Sequence, residues 1–163
     1  FVTNLLGIDD HAFTGFLVFV LFASSAVTQI VVRRMPTEPA LIAGCAILIL
    51  GTGLSILGLV AASTPALLGG AVICGVGQGM SFSKGLASVV AATPAGRKAE
   101  VTSTYFVVAY VAISIPIVGQ GITAQHWGLR PAGIAFNIGV ALLALIALVL
   151  TIVSVRNLAR PTR

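Results

Sequence analysis

The sequence predicts an all-α fold, a polytopic bundle of five helices embedded in lipid. Three observations carry that prediction. Only 8% of the 163 residues are charged and 58% are hydrophobic, against about 25% and about 45–50% in a soluble globular domain. Mean hydropathy is +1.10. Five long runs are apolar, and four of them hold no charged side chain. A helix of about 20 residues, rising about 1.5 Å per residue, crosses a hydrocarbon core about 30 Å thick. Nine basic and four acidic side chains cannot cover a water-facing globule. A soluble domain, a disordered chain and a secreted disulfide scaffold are therefore excluded.

The first span covers 13–32 and stops at Arg33-Arg34. The second covers 41–62 and stops at Ser63-Thr64-Pro65. The third, 66–92, is apolar apart from Lys84, and the fourth, 101–123, leads into His126-Trp127. The fifth, 132–153, runs into Arg156, Arg160 and Arg163. Connections of a few residues force neighbouring helices to pack antiparallel. Residues 1–163 then form a single transmembrane domain with no room for a soluble one.

Loop charges set the orientation. Arg33, Arg34, Arg97, Lys98, Arg156, Arg160 and Arg163 fall on one side, and Arg130 alone falls on the other. The positive-inside rule puts the N-terminal end outside and the C-terminus in the cytoplasm, so Arg33, Arg34, Arg97 and Lys98 are topology residues of a plasma (inner) membrane protein. His126 and Trp127 then sit at the outer interface, and Tyr105 and Gln29 near the inner one. No basic segment precedes the first span, so it is not a signal peptide. Phe1–Gly7 reads as the end of a preceding helix, which makes the chain a fragment lacking at least one N-terminal span. The net charge of +5 comes from scattered residues without a basic stripe, which argues against a nucleic-acid partner.

Polar side chains divide the spans. The second carries only Thr52 and Ser55 and the fifth Asn137 and Thr151, so these two are expected at the periphery, facing lipid. The first, third and fourth carry far more, and polar groups in hydrocarbon turn toward a bundle interior or a watery cavity. In the third span Gly75 and Gly79 make a GxxxG pair, a packing face or a sliding surface. In the fourth, Pro116 removes a backbone hydrogen bond and predicts a kink or hinge. Gln78 and Ser81 share one face of the third span, and Tyr110 and Ser114 share one of the fourth, near mid-depth. If those faces meet, the four side chains line an uncharged substrate cavity; the alternative is interhelical hydrogen bonding. Lys84 reads as a lysine snorkelling to the inner headgroups, with a cavity-facing cation as the alternative. Cys45 and Cys74 lie inside apolar runs and read as filler.

Catalytic chemistry is not expected. Both histidines, His11 and His126, and the acids Asp9, Asp10, Glu38 and Glu100 lie outside the spans, with no metal-ligand spacing, nucleophile–base pair or phosphate-binding loop. No metal and no cofactor is predicted. Nor is there a titratable acid at depth for proton coupling.

The segment Pro94-Ala95-Gly96-Arg97-Lys98-Ala99-Glu100-Val101-Thr102-Ser103, with Tyr110, Ser114-Ile115-Pro116 and Gly119, resembles the inner loop and eleventh helix of major facilitator superfamily transporters. Gly77-Gln78-Gly79-Met80-Ser81-Phe82 is similar to the tenth helix of bacterial members. The resemblance implies that the five spans are helices eight to twelve, an MFS-type half bundle whose N-terminal half is missing. It also implies a secondary permease moving a small solute by alternating access, of the efflux type. Arg33-Arg34-Met35-Pro36-Thr37-Glu38 keeps the basic pair of the family's loop signature but lacks its Gly and Asp. The alternatives are the permease subunit of an ATP-driven transporter and a membrane scaffold without a transported solute. Expected partners are the lipid bilayer, a small-molecule substrate and the missing half of the same chain.

Overall fold

The computed structural model describes residues 10–158. Over them the chain forms five long helices and no strand: α1 (Asp10–Val31), α2 (Thr37–Ala61), α3 (Thr64–Ala91), α4 (Lys98–Trp127) and α5 (Leu129–Leu158). Short 3-10 turns at Val32–Arg34 and Ala95–Arg97 follow α1 and precede α4. All five helices are long and apolar enough to cross a membrane. The protein is a multi-pass helical membrane protein. Phe1–Gly7, Arg160 and Arg163 lie outside the described residues.

Each boundary has a local cause. Pro36 ends the first connection and fixes an extended backbone before Thr37, since proline disfavours a helical residue ahead of it and starts helices well. At the far end of α2, Ala62 turns left-handed (φ 52°), and Ser63 donates its amide to the Gly58 carbonyl at 2.9 Å. Pro65 then opens α3 in its first turn. Gly128, with φ 87°, breaks α4 from α5 after a single non-helical residue. The short turns alternate helix direction, so Arg33, Arg34, Lys84, Arg97, Lys98 and Arg156 gather at one end of the bundle. Arg130 sits at the other.

Packing rests on small residues. Gly44, Gly51 and Gly58 recur every seventh position of α2, and they face Ser81, Cys74 and Leu67, which descend α3 by sevens. A Cβ at Gly51 would lie 2.6 Å from the Cys74 nitrogen, and one at Gly58 would lie 2.8 Å from that of Leu67. From the other side a Cβ at Gly77 would lie 2.5 Å from the Leu48 nitrogen, and Gly70 faces Ser55. A seven-residue repeat keeps two antiparallel helices in register along their whole length. With no side chain on α2 at these three positions, the two helices approach closely enough for dispersion to hold them, the main attraction available in lipid. The GxxxG pair serves a different neighbour: Gly75 abuts Ser24 and Leu21 of α1, and Gly79 would place a Cβ 2.5 Å from the Ser25 carbonyl oxygen. One helix thus offers two glycine faces to two partners.

The arrangement corrects the sorting by polarity. The second span is not peripheral. It lies between α3 and α5, with Thr52 1% exposed and Gly133 of α5 against Leu59. The fourth span, rich in hydroxyls, has no buried residue. Four of its hydroxyls are satisfied by its own backbone. Thr102 donates to Lys98 O (2.7 Å), Thr104 to Glu100 O (3.0 Å), Ser114 to Tyr110 O (2.7 Å) and Thr123 to Gly119 O (2.7 Å). A hydroxyl that bonds back one turn no longer demands a polar interior. Hydroxyl content therefore does not by itself bury α4 among these five helices, and glycine spacing places α2 at their centre.

Candidate functional site

Helix α4 joins the bundle at its ends. Near the basic end Phe82, Tyr105 and Phe106 form an aromatic cluster, with ring centroids 5.6 Å apart for Phe82–Tyr105 and 5.9 Å for Phe82–Phe106. The Tyr105 hydroxyl donates to the Phe82 carbonyl at 3.3 Å. Tyr105 is thus an interhelical anchor. Toward the other end α4 lies beside α5 across a shallow groove of about 280 Å³, lined in part by Pro116, Gly119, Gln120, Thr123 and Phe136. The helix runs unbroken through Pro116.

Two of the four cavity candidates lie on α3. Gln78 stands one turn before Phe82 on the same helix face, the one α4 leans against. Its Oε1 is buried and accepts no hydrogen bond, and the same holds for the Ser81 hydroxyl. Ser81 points at Gly44 of α2, where an added Cβ would lie 2.7 Å from its oxygen. The other two lie on α4: Tyr110 is 69% exposed, and Ser114 is exposed and bonded to its own helix. Among the described residues no hydrogen bond links Gln78 or Ser81 to Tyr110 or Ser114. The structure therefore leaves a buried pair on α3 and an open pair on α4 and does not join them.

Orphaned oxygens are uncommon. An unsatisfied buried acceptor costs about 1–3 kcal/mol, and most buried polar atoms find a partner. In lipid the penalty is not relieved by water. Gln78 and Ser81 therefore hold hydrogen-bonding capacity that the bundle does not use. Other polar groups at depth are spent: Thr28 donates to Ser24 O (2.7 Å), Thr52 to Ile49 O (2.8 Å) and Gln29 to Ser25 Oγ (3.4 Å).

Lys84 is turned into the protein, not outward. It is 5% exposed, and its Nζ donates to the carbonyls of Met35 (2.7 Å) and Arg33 (3.3 Å). Those carbonyls close the turn after α1, where the helix dipole leaves partial negative charge. Arg130 plays a matching part at the opposite end, donating to the Val60 carbonyl in the last turn of α2. The cation inside a span and the cation on the charge-poor side each cap a neighbouring helix. Sequence spacing gave no sign of either contact. The seven-residue spacing of Gly44, Gly51 and Gly58, by contrast, is a signal that could have placed α2 against a neighbouring helix.

Arg33 and Arg34 are exposed on the first turn. Arg97 forms a two-pronged pair with Glu100, at 3.0 Å from Nε and 2.9 Å from Nη2, and Lys98 is exposed. Cys45 and Cys74 are buried free thiols, Cys74 in the α2–α3 seam. No protein family, curated protein or solved structure matches the chain.

Proposed function

We propose that the protein moves a small solute across a membrane by alternating access, as an efflux-type secondary permease of the plasma membrane. The observation that carries this reading is Gln78 Oε1. It is a buried acceptor without a partner, on a bilayer-spanning helix, on the face where α4 approaches at one end only. An amide with unused capacity and no charge suits a weakly polar, amphipathic cargo, and cargo sites in such carriers lie near the midplane. The open face of α4, with Tyr110 at a similar depth, supports the same reading, because a second bundle facing it would enclose a route between the two. The resemblance of Pro94–Ser103 and of Gly77–Phe82 to major facilitator helices supports it independently. The site residues bind and orient; none acts as a catalyst.

Flux through inverted vesicles carrying the full-length protein tests this. An imposed ion gradient is expected to drive solute movement without ATP. Gln78→Ala and Tyr110→Phe are expected to reduce it while expression is maintained. Flux that requires ATP and a separate ATPase would favour a permease subunit, and no flux for any amphipathic solute would favour a scaffold. Flux unaffected by both substitutions would overturn the site assignment alone.

A further inference from the structure

The two connections at the basic end differ electrostatically. In the second, Arg97 is neutralised by Glu100. In the first, Arg33 and Arg34 are exposed, and neither forms an ion pair among the described residues. Glu38, in the first turn of α2, does not pair with them either. The carbonyls of Arg33 and Met35, which would repel an anion, are both occupied by the buried ammonium of Lys84. Two exposed, unpaired cations, Arg33 and Arg34, thus stand against one acid, Glu38, with the buried Lys84 ammonium behind the turn. Directly before the turn, α1 exposes Val27, Ile30 (76%) and Val31 (70%) to the surroundings.

We propose that the turn between α1 and α2 binds the headgroup of an anionic phospholipid, with Arg33 and Arg34 engaging its phosphate and an acyl chain lying along Val27, Ile30 and Val31. Guanidinium groups match phosphate oxygens in pairs, and basic turns at the ends of membrane helices recognise acidic headgroups. The apolar strip continuous with the arginines selects a lipid over a free anion, which would gain nothing from it. Two arginines also fall short of the basic stripe that a nucleic acid needs. The site depends on neither transport nor orientation.

The test uses the full chain in detergent, titrated with phosphatidylglycerol or phosphatidylcholine of equal chain length, with bound lipid counted by native mass spectrometry. Phosphatidylglycerol is expected to be retained preferentially. Each arginine removed in the R33Q/R34Q variant is expected to weaken it about fivefold, from roughly one kcal/mol per basic residue near an anionic surface. K98Q, on the other turn, is expected to leave the affinity unchanged, and inorganic phosphate at equal concentration is expected not to compete. Equal retention of the two lipids overturns the proposal. So does full affinity in R33Q/R34Q, an equal loss in K98Q, or displacement by phosphate. Should R33Q/R34Q unfold, the lipid comparison and the phosphate competition on the unaltered chain decide.

Discussion

The ammonium of Lys84 lies 2.7 Å from the carbonyl oxygen of Met35, 49 residues earlier in the chain. One turn before it, Met80 packs with Val32 and Ala40 under the same connection. The apolar cluster and the charge-assisted bond together fix the α1–α2 turn onto α3. A buried cation survives here because its partners are helix-terminal carbonyls that lack intrahelical donors.

Lys84→Ala is expected to destabilise the protein by about 1–3 kcal/mol, the cost of leaving buried carbonyls unpaired. Lys98→Ala, at an exposed site, is expected to stay within about 0.5 kcal/mol. Thermal unfolding in one detergent compares the two. Equal midpoints for both variants and the unaltered chain would remove Lys84 from its structural role.

The α2–α3 seam predicts position-dependent alanine effects. Gly51→Ala and Gly77→Ala each drive a methyl into the facing backbone, at 2.6 Å and 2.5 Å, and are expected to cost about 1–3 kcal/mol as overpacking. Gly53→Ala meets nothing within 4 Å, and it is expected to be neutral or to stabilise by up to about 1 kcal/mol through helix propensity. A reversed order in denaturation midpoints would show that the seam does not set stability.

Gln78→Leu separates binding from packing. Removing an unpaired buried amide is expected to leave stability unchanged or raise it by about 1 kcal/mol, while solute flux falls. If stability drops by a similar amount instead, the side chain is a packing element and the cavity assignment goes with it.

Ala62 holds a left-handed backbone (φ 52°) that costs an L-residue roughly 1–2 kcal/mol. Ala62→Gly is expected to recover about 0.5–1 kcal/mol, net of the glycine's greater freedom in the unfolded chain. The readout is again the unfolding midpoint, and a decrease would contradict the turn geometry.

Topology is tested with single cysteines in a Cys45→Ala, Cys74→Ala background, placed at Met35, Thr93 and Trp127. A membrane-impermeant maleimide is expected to reach Met35→Cys and Thr93→Cys from the same face and Trp127→Cys from the other. In the unaltered chain both native thiols are buried and are expected to resist the reagent. Labelling of all three sites from one face would refute the five-span reading.

The sequence by itself determined the five spans and their alternation. Scarce charge and long apolar runs leave a helix crossing lipid as the way to satisfy every backbone group, and the tight connections at Arg33–Pro36, Ala62-Ser63 and Gly128 enforce the reversals. Gly75 and Gly79 were legible as a packing face for the same reason, since residues four apart stack on one side of a helix.

Tertiary structure decided which helix is central and which polar groups are spare. Hydroxyl content misplaced α2 and does not bury α4 among these five helices, because Ser114 or Thr104 satisfies itself one turn back, an option that composition does not reveal. Closeness in lipid comes from matched small surfaces on two helices, so Gly51 means little until Cys74 is seen opposite it. The same holds for charge. Lys84 and Arg130 looked like exceptions to loop statistics, and only the fold brings them to the carbonyl ends of other helices, where a cation is stabilising.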